Sequence, residues 1–441
     1  MLSLPPQGAN STERSQDTEV IVTTTESLPR ILVLDAHSNP ALACVRSLGR
    51  AGYRVLVASP VRLPLAWWSR HCQGLFRYEG PTLPAFREIR RWARERGVSI
   101  VLPISEESCA LCNMEREKWE AAGMTLGCAP AATLASAFDK ALTMKAAQEC
   151  GFRTPATAYP DSLKEAVEAG EHLGYPCVVK PRFSQAWDGT RFQPTQVRSV
   201  ADAAGLREAV TAARAQGSWP LIQEYVPGHG AGVFALYNSG RPVAWFAQKS
   251  IRSVRPMASP NCLRRSVPIE PRLRDPAERL LSSFAWHGPA MVELRTDSTG
   301  DPWLMEVNGR FWVSLQLAVS AGVDFPRLWV EALRGLPVRG PADYEEVVLR
   351  WLWGDVKRFL GVVVSGPPAG YDGPYPTVRQ AARDLFGAQP HGTILEMWQP
   401  DDRWPAVGEW TQALSQAFGF LERRLHGSGA GQAAPLEHQK A

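Results

Sequence analysis

Residues 289–310, PAMVELRTDSTGDPWLMEVNGR, are the stretch of this 441-residue chain that decides the fold. Polar turn residues separate two short runs in which apolar and polar side chains alternate, which predicts two antiparallel strands. If Thr299-Gly300 forms a two-residue turn, Glu293 lies directly opposite Glu306, and Asn308 follows on the same face. A bulged turn over residues 297–301 would shift this pairing by one residue.

Two carboxylates that face each other across a hairpin repel unless positive charge lies between them. Met291, Val292, Leu304 and Met305 surround the predicted pair, so bulk water does not readily supply that compensation. Oxygen ligands at this spacing suit Mg²⁺, which takes one or two carboxylates and completes its shell with water and phosphates. The alternative is a structural one, in which one glutamate faces solvent or pairs with Arg295 or Arg310.

Composition excludes several classes of protein. Hydrophobic residues make up 45% and charged residues 21% of the chain, as in ordinary globular proteins. The net charge of +4 is too small to argue for a nucleic acid or membrane partner. Eight scattered cysteines indicate reduced thiols and a cytoplasmic location, and Cys109 and Cys112 are expected on one helix face rather than in a metal site.

The chain divides into five predicted regions. The richest apolar stretch, 347–364, contains four charged residues, so we expect an amphipathic surface helix and no membrane span. The regions are a disordered tail (1–29), an N-terminal α/β domain (30–130), a nucleotide-binding domain (131–338) with a lid at about 155–225, a partly helical C-terminal extension (339–425) and a second disordered tail (426–441).

The N-terminal region has the pattern of a parallel α/β domain. Apolar runs at 30–35, 53–58 and 98–102 predict strands, and a helix is expected over 40–50. A dinucleotide-binding fold shares this pattern. However, the first turn, Asp35-Ala-His-Ser-Asn-Pro40, lacks the glycines that bring backbone close to a pyrophosphate, which argues against a nicotinamide site.

From residue 138 onward, strands and helices mix without strict alternation, which predicts an α+β arrangement with antiparallel sheets. Helices are expected over 139–150 and 202–216, and another is expected to begin after Asp324. The predicted strands are 177–181, 221–226, two within 232–252, 289–297 and 302–308.

The order of these motifs resembles the ATP-grasp superfamily, specifically its carboxylate–amine ligases, over about residues 30–335. Members carry a glutamate on one hairpin strand and Glu-x-Asn on the next, like Glu293, Glu306 and Asn308. They commonly continue Asn-Pro-Arg, whereas this chain reads Asn308-Gly309-Arg310. The resemblance implies an ATP-grasp fold, mixed α/β and α+β, in which two α+β subdomains clasp ATP. It also implies that the three residues ligate Mg²⁺, or alternatively Mn²⁺, and that Arg310 steadies the transferred phosphoryl group.

Other nucleotide contacts follow from the same resemblance. Lys140 and Lys180 match the two lysines that contact phosphates, and Lys180 ends an apolar strand where its ammonium needs a partner. The backbone of Gln223-Glu224-Tyr225-Val226 matches the hinge that binds adenine. Two features depart from the family: the loop at 182–190 has one glycine, and His229 stands where many relatives have a ribose-binding glutamate.

A cluster of basic residues follows the third strand of the predicted nucleotide domain. Arginines suit carboxylates and phosphates because the guanidinium donates two parallel hydrogen bonds. By resemblance, Arg252 has a transition-state role and Lys249 borders the acceptor site. A solvated basic loop is the structural alternative for this cluster, whose members are Lys249, Arg252, Arg255, Arg264 and Arg265.

The resemblance implies an ATP-dependent ligase that joins a carboxylate to an amine through an acyl phosphate, releasing ADP and phosphate. The expected partners are small-molecule or peptide carboxylates and amines, and a homodimer is one assembly to consider. Two alternatives stay open: a kinase on the same scaffold, and a degenerate nucleotide-binding regulatory protein.

Overall fold

The computed structural model describes residues 28–255, 260–367 and 375–414. The first domain contains a five-stranded parallel sheet of order β3-β2-β1-β4-β5. This confirms the predicted parallel α/β domain, although β3 was missed because its half-exposed sequence lacks an apolar run. The strands are β1 (Arg30–Val33), β2 (Arg54–Ser59), β3 (Cys72–Arg77), β4 (Val98–Leu102) and β5 (Thr125–Leu126).

Helices cover both faces of this sheet. α1 packs on one face together with the 3₁₀ helix Leu65–Trp68, whereas α2 and α3 pack on the other. The side of the crossover therefore changes between β1 and β4, so the first domain is a doubly wound sheet. Its helices are α1 (Asn39–Arg50), α2 (Leu83–Glu95), α3 (Glu106–Met114), α4 (Arg116–Glu120) and α5 (Ala131–Phe138).

A four-stranded antiparallel sheet of order β10-β7-β11-β6 has its own small apolar core. α7 and α8 pack against it, α6 precedes it, and a separate two-stranded hairpin, β8–β9, lies between β7 and β10. The bounds are α6 (Lys140–Glu149), β6 (Thr157–Ala158), α7 (Leu163–Leu173), β7 (Cys177–Lys180), β8 (Gln185–Trp187), β9 (Phe192–Pro194), β10 (Arg198–Val200), α8 (Ala203–Arg214) and β11 (Leu221–Glu224).

A seven-stranded sheet of order β16-β15-β12-β13-β14-β17-β18 completes the fold. All its pairs are antiparallel except β17–β18. The strands are β12 (His229–Asn238), β13 (Arg241–Ser253), β14 (Asn261–Ser266), β15 (Gly288–Thr296), β16 (Pro302–Asn308), β17 (Val348–Arg350) and β18 (Thr393–Leu395). The helices are α9 (Pro271–Ser283), α10 (Leu315–Ser320), α11 (Phe325–Leu333), α12 (Leu352–Val364), α13 (Val378–Phe386) and a helical segment at 404–414.

The C-terminal region corrects one prediction. The stretch 347–364 is not a single surface helix, because residues 348–350 form the buried strand β17 and only the remainder forms α12. β17 and β18 extend the large sheet, so this region is built into the core of the fold. Within the described residues, no helix is long and apolar enough to cross a membrane.

Residues 393–402, here called the C-terminal strap, join the large sheet to the N-terminal domain. Glu396 accepts a hydrogen bond of 3.1 Å from Asn39 Nδ2 and pairs with Arg264 of β14. Arg46 of α1 donates to the carbonyl oxygens of Glu396 and Met397.

A buried ion pair also holds the strap on α1. Arg46 Nε lies 2.8 Å from Asp402 Oδ2, and both side chains are almost fully buried. Asp402 also accepts hydrogen bonds from Ser69 Oγ and the Arg70 amide. A buried guanidinium needs these acceptors, because burying an unpaired charge is costly.

Replacing Asp402 with alanine should therefore leave Arg46 buried without its carboxylate. We expect Asp402→Ala to lower the free energy of unfolding by about 3–5 kcal/mol, measured by chemical denaturation. The neighbouring Asp401 pairs with Arg50 at the surface, so Asp401→Ala should cost less than about 1 kcal/mol. Equal losses in the two variants would contradict a dominant role for the buried pair.

Candidate active site

The β15–β16 hairpin holds Glu293 directly opposite Glu306, as predicted. The predicted two-residue turn is wrong, because Thr296 pairs with Pro302 and residues 297–301 form the loop. A bulge at Met305 then shifts the register back, since Glu293 pairs with Glu306 but Leu294 pairs with Leu304. Two irregularities of opposite effect thus restore the predicted pair.

The loop of this hairpin is fixed by its first residue. Asp297 Oδ1 accepts hydrogen bonds from the amides of Thr299 and Asp301, and Oδ2 accepts one from Trp303 Nε1. These bonds lower the pKa of the Asp297 carboxyl below its usual range, the contacts with Thr299 and Trp303 being the largest causes. The carboxylates of Glu293 and Glu306 therefore stand on a hairpin whose turn and register are both specified.

Polar groups surround the carboxylate pair. Asn308 Nδ2 lies 3.4 Å from Glu293 Oε2 and 3.2 Å from Glu306 Oε1. Arg310 Nη2 donates to Asn308 Oδ1 at 3.1 Å. Lys180 Nζ donates to the carbonyl oxygen of Met305, the bulged residue, at 2.7 Å and lies 3.9 Å from Glu306 Oε2. The structure thus brings together the three predicted metal ligands, Arg310 and Lys180.

The positive charges near the carboxylate pair do not fully offset its burial and mutual repulsion. Burial, and next the negative charge of Glu306, raise the pKa of Glu293 to about 7, although Lys180 and Arg310 act in the opposite direction. Burial also lowers the pKa of Lys180, opposed by the attraction of Glu306. A cation between the two carboxylates would favour their charged forms.

The donor set fits Mg²⁺ or Mn²⁺. The described residues contain no group of three or more His, Cys, Asp or Glu side chains arranged to hold a metal. Two carboxylates and one amide instead match an ion that completes its shell with water and phosphate. The Asn308 amide nitrogen now faces the carboxylates, and a half-turn of the amide group would present its oxygen.

The two predicted nucleotide lysines are both buried and lie close enough to influence each other. The positive charge of Lys140 contributes to lowering the pKa of Lys180. Lys140 Nζ donates to Ser184 Oγ at 2.7 Å, and its backbone amide donates to the carbonyl of Arg182. Lys140 therefore anchors the start of the 182–190 segment, which contains β8 and most of the turn of the β8–β9 hairpin.

The predicted hinge lies where the chain passes from one sheet to the other. β11 ends the four-stranded sheet at Glu224, and β12 begins the seven-stranded sheet at His229. The Glu224 amide already donates to the Ala156 carbonyl at 2.9 Å, so it is not available to an adenine edge in this conformation. Gly228 has φ +141°, and a Cβ there would lie 2.0 Å from the Thr296 carbonyl oxygen.

The side chains of the hinge residues Gln223 and Tyr225 contact different neighbours. Gln223 is buried and donates to Thr157 Oγ1 at 2.9 Å, and the ring of Tyr225 lies 5.8 Å from the Arg295 guanidinium. Among the described backbone hydrogen bonds outside regular elements, none involves the carbonyl of Glu224 or the backbone of Tyr225 and Val226. These groups are the candidates for contact with a nucleobase.

The residue next to Glu293 on the neighbouring strand is a glycine, so backbone is exposed beside the carboxylates. Gly232 of β12 pairs with Glu293 on one side and with Gln248 on the other, so no side chain separates them in that row of the sheet. Gln248 is buried, and its Oε1 has no hydrogen-bond partner among the described residues. Sequence inspection missed Gln248, because only strand pairing reveals that it shares a row with Glu293.

Two residues predicted to be catalytic, Lys249 and Arg252, have their side-chain contacts away from the carboxylate pair. Lys249 follows Gln248 and therefore faces the opposite side of the sheet from Glu293. It lies 3.9 Å from Glu270. Arg252 makes a two-pronged contact of 2.8 Å with Asp355 of α12, so its guanidinium belongs to the C-terminal region.

The N-terminal domain contributes a residue that the sequence reading did not assign. Glu106 begins α3 at the carboxyl end of β4, and its Oε1 lies 3.7 Å from Arg310 Nη2. Asp35, at the end of β1, has φ +55° and accepts hydrogen bonds from the amides of Ile104 and Ser105. The helices that follow β1 and β4 pack on opposite faces of the sheet, which leaves a crevice at the carboxyl ends of these two strands. This crevice therefore opens toward Arg310.

The position of Arg252 predicts a structural effect. We expect Arg252→Met to lower the free energy of unfolding by about 1–3 kcal/mol, because Asp355 loses one of its two arginine partners. Any nucleotide turnover, normalised to folded protein, should be unchanged. Arg265→Met, at an exposed pair with Glu346, is the matched control. Lost turnover in a stable Arg252→Met protein would restore a transition-state role.

Two curated ligases are similar to part of this chain. No family model matches the chain. The D-alanine–D-alanine ligase of Stutzerimonas stutzeri is 29% identical over 216 residues, which are 45% of this chain and 65% of that ligase. The corresponding ligase of Marinobacter nauticus is 28% identical over 221 residues, covering 47% and 65%. The chain thus spans slightly less than two thirds of the length of these relatives.

Solved structures share the fold at low sequence identity. A biotin carboxylase from Campylobacter jejuni in complex with β,γ-ATP has a TM-score of 0.58 at 13% identity, covering 71% of this chain and 73% of that one. The Hydrogenobacter thermophilus 2-oxoglutarate carboxylase biotin carboxylase domain, a dimer with MgADP and bicarbonate, gives 0.56 at 16%, covering 71% of each. N5-carboxyaminoimidazole synthetase from Staphylococcus aureus with ADP gives 0.56 at 15%, covering 72% and 79%.

The chain therefore has the ATP-grasp fold, and the resemblance to carboxylate–amine ligases inferred from the sequence is confirmed.

Proposed function

We propose that this protein is an ATP-dependent ligase that joins a carboxylate to an amine through an acyl phosphate. The observation that carries the proposal is the pairing of Glu293 with Glu306, with Asn308 between them and Lys180 at 3.9 Å from Glu306. Lys180 belongs to the four-stranded sheet and the carboxylates to the seven-stranded sheet, so this contact crosses between two sheets. ATP bound there would be held from both sides.

In the proposed reaction, a carboxylate oxygen of the acid forms a bond to the γ-phosphorus of ATP while the bond from phosphorus to the leaving oxygen of ADP breaks. The amine nitrogen then attacks the acyl carbon, phosphate leaves, and the nitrogen loses a proton, giving an amide or peptide bond. Mg²⁺ or Mn²⁺ bound to Glu293, Glu306 and Asn308 would neutralise phosphate charge.

The chain's own residues have separate roles in this proposal. Lys140 and Lys180 bind phosphate oxygens as flexible point charges, and Arg310 stabilises negative charge on the group in transit. The β8–β9 hairpin covers the phosphates in place of a glycine-rich loop, and Glu224 to Val226 contact the base. Movement of the four-stranded sheet would exclude water from the acyl phosphate, which otherwise hydrolyses.

The crevice between β1 and β4 is the proposed place for the acid or the amine. In open parallel sheets, ligands bind outside the carboxyl ends of the strands where the crossover side changes. Glu106 and Glu107 line this end of β4, and burial, with the charge of Asp35, raises the pKa of Glu107 to about 7. Acidic groups at this edge favour a substrate that carries an amino group.

The proposal predicts that Glu306→Gln removes turnover while the protein stays folded. The substitution keeps the size of the side chain but removes a charge needed to hold the metal ion, so we expect about a 100-fold or larger loss. The assay is amine-dependent ADP release with ATP, Mg²⁺ and pooled amino acids. Glu278→Gln, on the surface of α9, is the matched control. Undiminished turnover in Glu306→Gln would exclude the metal-binding role.

Lys180→Met should weaken nucleotide binding before it affects folding. Loss of a charged hydrogen bond to phosphate is expected to raise the dissociation constant for ATP about tenfold or more, measured by calorimetry. Lys164→Met, at an exposed site on α7, should leave it unchanged. If Lys180→Met binds ATP as tightly as the unchanged protein does, Lys180 lies outside the nucleotide site.

The same assay distinguishes the alternatives. A kinase would release ADP without an amine and accumulate a stable phosphorylated product. A regulatory protein would bind ATP without turnover, and failure to bind millimolar ATP would exclude both enzymes. Whether the chain forms a homodimer is a separate proposal, which sedimentation would measure.

A further inference from the structure

A second cavity lies at the far end of the large sheet from the carboxylate pair. Its volume is about 200 Å³, it is open to solvent on one side, and it is bounded by β17, the start of α12, the C-terminal strap and the helical segment at 404–414. Four strand-to-strand steps separate β15 from β17, which is about 20 Å. This C-terminal cavity is therefore distinct from the proposed nucleotide site.

The walls of the C-terminal cavity are mainly apolar and aromatic. Leu352 and Met397 line its interior, and Trp398, Val407 and Trp410 form an accessible rim. The ring of Trp410 packs edge-on against Trp353 with centroids 4.8 Å apart, which fixes one side of the opening. An apolar cavity of about 150 Å³ accepts a benzene ring, so this volume suits one ring with a short chain.

One charged group in the wall has no counter-ion in contact. Glu409 Oε1 accepts a hydrogen bond from Trp351 Nε1. Among the described residues, no Lys, Arg or His side chain lies within ion-pairing distance of Glu409. The nearest influential cation is Lys357, whose Nζ lies over the rings of Trp351 and Trp353, at 5.2 and 5.9 Å from their centroids.

The other charged groups of the cavity are already paired. Glu396 is bound by Asn39 and Arg264, and Arg350 donates to Asp355 at 2.6 Å. Burial raises the pKa of Glu409 to about 7, with a further contribution from the charge of Glu396, whereas Lys357 acts in the opposite direction. An added cation would therefore stabilise the charged form of Glu409 more than that of Glu396, which is already paired.

We propose that the C-terminal cavity is a binding site for a small hydrophobic amine. The ammonium group donates to Glu409, and the apolar body fills the interior. Because the walls include the C-terminal strap, an occupant stabilises the segment that holds the N-terminal domain on the large sheet. The site is independent of the ligase proposal, because it shares no residue with the nucleotide site.

Calorimetric titration of the full-length protein with 2-phenylethylamine tests this site. The neutral 2-phenylethanol and the anionic phenylacetate are controls of similar shape. We expect the amine to bind saturably and about tenfold or more tightly than the alcohol, and phenylacetate to bind most weakly. The midpoint of thermal unfolding should rise with the amine concentration.

Two variants and one control locate the binding. Glu409→Gln keeps an acceptor for Trp351 Nε1, so the fold should persist, and it should remove the preference for the amine over the alcohol. Val407→Trp, at the exposed rim, should weaken binding of both compounds by filling the opening. Glu208→Gln, on the surface of α8, should change neither.

Three results would each overturn the proposal. Equal affinity for the amine and the alcohol would show that the cavity binds the apolar part alone and does not recognise the ammonium group. An amine preference that persists in Glu409→Gln would place the ammonium elsewhere. Absence of saturable binding at millimolar amine, in a folded protein, would mean that the cavity takes no such ligand.

Discussion

Electrostatic repulsion between Glu293 and Glu306 is the constraint around which the rest of this site is arranged. The hairpin fixes the two carboxylates opposite each other, so neither can move away without breaking the register of β15 and β16. Compensating positive charge comes from Lys180 of the four-stranded sheet and from Arg310 of the segment after β16. Glu106 of the N-terminal domain in turn pairs with Arg310. A site assembled in this way requires all three parts to be correctly placed.

Much of this site was predictable because its signals are local. The alternation of side chains on either side of the 297–301 turn identifies the carboxylate pair, and an apolar strand ending in Lys180 identifies a buried cation. The turn itself was predicted wrongly, yet the pair was right, because the bulge at Met305 offsets the longer loop. No local pattern in the sequence indicates that bulge, since it is defined by the partner strand.

The surroundings of Arg252 and Lys249 depend on contacts that are distant in the sequence. Arg252 has the spacing of a catalytic arginine, but its partner Asp355 lies 103 positions away, in a region to which the motif order assigns no chemistry. Lys249 and Gln248 are neighbours in the chain, and only the pleat of β13 decides which of them shares a face with Glu293. The C-terminal region was not predictable for the same reason. β17 and β18 are short strands that form by pairing with β14, which lies much earlier in the chain.

The buried pair of Arg46 with Asp402 has a consequence for how the protein is made. A ribosome adds Arg46 350 to 356 residues before the residues of the strap that accept its hydrogen bonds. Until then, the N-terminal sheet can form, but one of its helices presents a guanidinium that must stay hydrated. Domains usually fold in the order of their synthesis. Here the first domain acquires its final packing only after Asp402 has emerged, so complete packing of α1 requires that translation has passed the strap.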